Sequence, residues 1–113
     1  MNNRDIFILE KISQYCYEIS TTIEKMDLDY AKFHDDFIAR NAITMCILTI
    51  GKLATKLTDE FKENNAEIKW KSIVGIRNRA AHGYWDMNTE IIWQVATENI
   101  PELKAYCENI FEE

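Results

Sequence analysis

An all-α fold, an antiparallel bundle of four or five helices, is what the sequence predicts, and three observations lead there. Nearly half of the 113 residues are apolar. Three Gly and one Pro are too few chain breakers for a turn-rich β architecture. Apolar residues also recur at helical spacing over long stretches. A chain of this length supplies one domain, residues 1–113, with a single core.

The first element is the clearest. Leu9, Ile12, Cys16, Ile19, Ile23 and Met26 follow one another at intervals of 3, 4, 3, 4 and 3, which predicts an apolar seam on a helix from about Arg4 to Met26. Asp27-Leu28-Asp29 interrupts it. Asp35 or Asp36 can cap a second helix running to about Glu63, where Asn64-Asn65 ends it. Its middle, Ala42 to Ile50, is apolar nearly all round, so it is expected to be buried on more than one side. A shorter third helix covers about Trp70 to His82 and closes at Gly83, a suitable residue just past a helix end. Asn88 can cap a last helix through Ile91, Ile92, Trp93 and Val95. Pro101 restarts or kinks that helix before it continues to about Phe111.

Composition excludes several function classes. No apolar run approaches the roughly 18 residues that span a bilayer, and Met1 to Glu10 lacks the apolar stretch of a signal peptide. Cys16, Cys46 and Cys107 are far apart and odd in number, which predicts reduced, packed thiols in a cytoplasmic chain. With only His34 and His82, a His-rich metal site is not available, and neither metal nor cofactor is expected. The net charge of −6 argues against a general nucleic-acid surface. Between Ile68 and Trp85, however, stand Lys69, Lys71, Arg77 and Arg79 with no Asp or Glu, so this window carries +4 and the remainder −10. An acidic body with one basic segment fits a focused anion site. On charge alone, a solvated helix face fits equally well.

That basic segment is where chemistry concentrates. With Ile73 at zero on a wheel of about 100° per residue, Trp70, Ile76 and Ala80 form a buried stripe within about 60°. Lys71, Gly75, Asn78 and His82 fall on the opposite face. Gly75 costs the helix about 1 kcal/mol relative to Ala and leaves a gap beside an amide, an imidazole and a lysine. Such a gap suits a phosphate or a closely approaching partner helix. Arg77 lies near 40°, at the edge of the apolar stripe, so its head must reach outward or enter a subunit interface. Each residue has a plainer reading. A His at a helix end can simply complement the macrodipole, Asn78 can be an ordinary exposed residue, and Tyr84 with Trp85 can clasp the bundle end.

The run Ile73-Val-Gly-Ile-Arg77-Asn78-Arg-Ala-Ala-His82-Gly83-Tyr84 resembles the signature of the HEPN superfamily, Arg followed by four to six residues and then His. The form Arg-Asn-x-x-x-His-x-Tyr is particularly similar to the HepT-like toxin family. The resemblance also covers Asn41 through Ile50-Gly51 to Leu57, Ile68-Lys69-Trp70, Ile92-Trp93 and Ile100-Pro101-Glu102-Leu103. One departure is Lys52, where the family usually has an acidic residue after the second-helix glycine.

The resemblance implies a metal-independent endoribonuclease that works as a homodimer, its two motifs meeting across a cleft. It further implies a small MNT-type nucleotidyltransferase antitoxin that neutralises the toxin by transferring AMP to the motif tyrosine, here Tyr84. The residue chemistry is compatible. RNA carries its own nucleophile, so cleavage needs a base, an acid and a group to hold phosphorane charge. His82 can move protons near neutral pH, Arg77 matches phosphate oxygens bidentately, and Asn78 can orient the imidazole or donate to phosphate. Lys71 and Arg79 are the expected additional phosphate contacts. A bulky charged adduct on Tyr84, two residues past His82, would repel RNA. Two other classes stay open on the sequence: a non-catalytic nucleotide-binding scaffold, and a plain dimerisation module.

Overall fold

The computed structural model describes residues 2–83 and 88–112, with the backbone alone described for 80–83. Four long helices carry the bundle. They are α1 (Asn3–Lys25), α3 (Phe37–Ala54), α5 (Trp70–Gly83) and α7 (Ile100–Glu112). Short helices join them: α2 (Tyr30–Asp35), α4 (Asp59–Asn64) and α6 (Thr89–Gln94), the last running through a wide π-turn (Val95–Asn99) into α7. No strand occurs among the described residues.

Side-chain caps set the helix starts. Asn2 accepts from Asp5 N at 2.7 Å to open α1. Asp29 accepts from Lys32 N to open α2. Asp36 accepts from Ile38 N and Ala39 N to open α3, and Asn88 accepts from Glu90 N to open α6. Each satisfies a backbone donor that has no partner within its helix. Asp27, with φ 48°, turns the chain sharply between α1 and α2.

α1 packs on α3 and α7, and α3 packs on α5. The seam read from spacing enters the core as Leu9, Ile12, Cys16 and Ile19, against Ile43, Ile47 and Ile50 of α3 and Ile100, Leu103 and Cys107 of α7. Ile23 is only partly buried and Met26 is exposed, so the seam loses the core over its last turn. α3 is, by length and composition, apolar enough to cross a membrane, contrary to the expectation that no segment is. It carries Arg40 and Lys52, and its Ile43, Ile47, Ile50 and Ala54 are buried against the neighbouring helices. It is the central helix of the bundle.

All three cysteines are free thiols. Burial pushes Cys16 strongly up and Cys107 up to about 12, Glu108 adding to the latter. Half-buried Cys46 shifts the same way, from burial and then Glu18. Such thiols stay protonated at neutral pH and behave as small apolar groups.

The second helix is shorter than the spacing predicts. It stops at Ala54 rather than Glu63, and α4 begins afresh at Asp59. The break has a tertiary cause: Thr58 donates both its backbone N–H, at 3.0 Å, and its hydroxyl, at 2.7 Å, to the carboxylate of Asp5. The Thr58 N–H is therefore not available to Ala54 O, and the intervening residues close with tighter bonds from Lys56 N to Leu53 O and Leu57 N to Ala54 O. Thr58 Oγ1 also accepts from Phe61 N, which caps α4. Asp5 is 2% exposed, so its removal leaves Thr58 without its charged acceptor. Asp5→Ala is expected to lower the unfolding free energy by about 2–3 kcal/mol, read by urea denaturation. Asp5→Asn, which keeps one acceptor, should cost less.

Candidate functional site

α5 begins where Ile68 and Trp70 are drawn into the core, the Trp70 indole N–H donating to Asn65 O at 3.1 Å. Trp70 and Ile73 are 6% and 5% exposed, which fixes the rotation of the whole helix. Every other side chain on it follows from that rotation.

Lys71, Asn78 and Arg79 are exposed, and Arg77 is half-buried at the edge of the apolar stripe. Its stem crosses Gly51 of α3. A Cβ on Gly51 would stand 2.6 Å from Arg77 Cβ and 3.0 Å from Ile73 O, distances that real side chains do not tolerate. The glycine therefore sets how closely α3 and α5 approach, and α3 in turn holds the base of Arg77. From there the guanidinium reaches its neighbour: Arg77 Nη1 donates to Asn78 Oδ1 at 3.3 Å. A guanidinium and an amide are thus paired side by side on the open edge of the helix. That pair can present several N–H donors to one anion.

Of the residues expected to carry chemistry, the structure brings Arg77 and Asn78 together. Lys71 and Arg79 stand on the same helix, and neither is hydrogen-bonded to that pair. The backbone of His82 continues α5 one turn past Asn78, and its side chain lies outside the described residues, as does Tyr84 entirely.

Gly75 differs from Gly51 in kind. Among the described residues, a Cβ there would meet nothing within 4 Å. The gap expected beside Lys71 and Asn78 opens on the other flank of Gly75. There α5 and the end of α6 enclose a groove of ≈ 410 Å³ whose polar lining is Lys69, Ser72, Arg79, Gln94 and Asn99. Spacing along α5 points to Lys69, Ser72 and Arg79, but Gln94 and Asn99 come from another element and carry no signal in the sequence. Elsewhere, among the described residues, no three His, Cys, Asp or Glu side chains converge as metal ligands would.

Comparison with known proteins places the chain in a family. The profile of the family described as ribonuclease HepT-like matches residues 8–110. A candidate RNase of Caldanaerobacter subterraneus subsp. tengcongensis is 29% identical over 92% of this chain and 91% of its own length. A candidate RNase of Methanocaldococcus jannaschii is 25% identical over 90% of this chain and 92% of its own. A protein of Thermococcus cleftensis named probable ribonuclease HepT is 24% identical over 85% of this chain and 92% of its own. No solved structure gives a significant match. With nearly its whole length matched, this chain belongs to the HepT-like ribonuclease family.

Proposed function

We propose that this chain is a metal-independent endoribonuclease toxin of the cytoplasm, active as a homodimer. The observation that carries the reading is the Arg77–Asn78 pair, held at the open edge of α5 by the Gly51 contact, in a member of a ribonuclease family. In the proposed reaction the RNA 2′-hydroxyl oxygen attacks the adjacent phosphorus and the P–O5′ bond breaks. A neutral His82 takes the hydroxyl proton. The protonated His82 of the second copy gives a proton to the departing 5′-oxygen. Arg77 holds the charge gathering on the phosphorane oxygens, and Asn78 fixes the guanidinium or the imidazole. Lys71 and Arg79 bind flanking phosphates. The products are a 2′,3′-cyclic phosphate and a 5′-hydroxyl.

The dimer is supported by α3, where Phe37, Ile38 and Met45 are 62%, 65% and 59% exposed. That apolar surface lies on the helix against which Arg77 rests, and a second copy would cover it. Control falls to an MNT-type nucleotidyltransferase antitoxin, whose reaction joins the Tyr84 hydroxyl oxygen to the α-phosphorus of ATP and releases pyrophosphate.

Purified protein incubated with RNA and excess EDTA should cut it and leave 2′,3′-cyclic phosphate ends. Cutting that stops in EDTA and returns with Mg²⁺ would refute the metal-independent mechanism. RNA bound but left intact would favour a non-catalytic scaffold. With the partner and ATP, intact-mass measurement should show one AMP added at Tyr84, and silence of the ribonuclease in step with it.

A further inference from the structure

The proposed reaction employs the Arg77–Asn78 edge of α5 and, of the groove on the flank of Gly75, only Arg79 as a flanking-phosphate contact. That groove is built for a ligand of mixed character. Lys69, just ahead of α5, and Arg79 on it stand ten residues apart, about 15 Å along the axis, long enough for a nucleotide with a phosphate on each side. Between them Ser72 offers a hydroxyl, and Gln94 and Asn99 offer amides across the groove, each with donors and an acceptor. The floor is apolar, from Ile73, Ile76 and Val95. No carboxylate lines the groove among the described residues, although the chain carries nineteen acidic side chains. Gln94 precedes and Asn99 ends the wide turn of the last helix, a local geometry often kept at functional sites.

Gly75 adds the decisive constraint. Gly51 has an internal reason to lack a side chain, because α5 passes over it. Among the described residues Gly75 has none: its Cβ position is open to them, yet the helix forgoes the better helix formers there. What a bare Cα permits at such a place is close approach of something outside the chain. Gly75 also precedes Asn78 by three residues and position 82 by seven, so it forms the common border between groove and proposed cleavage edge.

The geometry points to a second RNA subsite. The groove holds a nucleotide next to the one being cut, with Lys69 and Arg79 on its two phosphates and Gln94 and Asn99 at its base edge. This rests on the ribonuclease reading above and extends it from the scissile phosphate to a neighbouring nucleotide. Substrates shorter than this reach lose the groove's contribution.

The test uses the full-length protein and a fluorescent 2′-O-methyl RNA, which cannot supply the attacking hydroxyl. Lys69→Gln combined with Arg79→Gln should weaken binding roughly tenfold and flatten the salt dependence by about 1.4 log units per log unit of salt, two phosphate contacts being lost. Gly75→Leu should weaken binding by a similar factor with the salt slope unchanged, since it blocks the groove and removes no charge. Leu is the better helix former, so its melting temperature should be equal or higher. Gly75→Leu, which leaves every proposed phosphate contact in place, should cleave a dinucleoside monophosphate, too short to fill the groove, at the wild-type rate per encounter. Unchanged affinity and slope in both variants would overturn the subsite, even where RNA cleavage itself persists. So would a change in sedimentation with RNA affinity intact, which would make the groove a protein contact. Groove-dependent binding without any cleavage would instead retain the subsite and refute the ribonuclease.

Discussion

Replacing His82 with alanine is expected to lower the rate of RNA cleavage by about 10²–10⁴-fold, the usual worth of a positioned proton-transfer group. Arg77→Ala should cost about 10²–10³-fold, since a preorganised charge facing the phosphorane is removed. Arg77→Lys should recover little of that loss. A lysine ammonium is a point charge, whereas the guanidinium can both bond Asn78 and present two parallel donors to phosphate. Arg77→Met separates chemistry from packing, because it keeps the aliphatic stem that lies over Gly51 and loses only the head. Rates measured on a labelled RNA, beside melting temperatures for each variant, check the set. If Arg77→Met cuts as fast as wild type, the guanidinium has no part in the reaction.

The second large effect is expected at Gly51. In Gly51→Ala the new methyl group meets Arg77 Cβ at 2.6 Å and the Ile73 carbonyl oxygen at 3.0 Å. Neither contact is the flexible end of a side chain, so α3 and α5 must move apart. The strain of overpacking is about 1–3 kcal/mol, set against about 1 kcal/mol gained in helix propensity. A net loss of up to about 2 kcal/mol is expected, read as a lower urea midpoint. Gly51→Leu should lose more than 3 kcal/mol, enough to unfold a marginal domain. Arg77→Gly removes the nearest of the two clashing atoms, so combined with Gly51→Ala it should cost less than the sum of the single changes. Strict additivity would mean that the two helices adjust independently of this contact. Because Arg77 sits on that contact, Gly51→Ala should also slow RNA cleavage beyond what its stability loss explains.

Much of the bundle is legible wherever one helix face decides the matter. The 3–4 spacing of α1 locates Leu9, Ile12, Cys16 and Ile19, though not the buried Asp5 and Ile8, and Asp36 and Asn88 announce helix starts because a cap is a local interaction. The stripe of Trp70 and Ile73 gives the rotation of α5 and hence the exposure of Lys71 and Asn78. What the spacing misses is set by distant partners. The end of α3 depends on Asp5, fifty-three residues from Thr58, although Thr58-Asp59-Glu60 does read in hindsight as a cap followed by an acidic first turn. The six residues of α2 are too few for a periodic signal. At the site, the Gly51–Arg77 contact joins residues twenty-six apart, and a lone glycine in an apolar helix gives no indication of what passes over it. The groove needs a wall from α6, which no pattern in α5 could reveal.

The wide turn at Val95–Asn99 settles a mismatch of period. Ile92, Ala96, Ile100, Leu103 and Cys107, all buried, complete four turns in fifteen residues. A regular helix of 3.6 residues per turn would fall about 60° out of phase over that length. By admitting extra residues into one turn, just ahead of a Pro101 that has no N–H to give, the chain brings its last helix back into step with the core. The rod therefore stays continuous while keeping one apolar line facing inward from end to end.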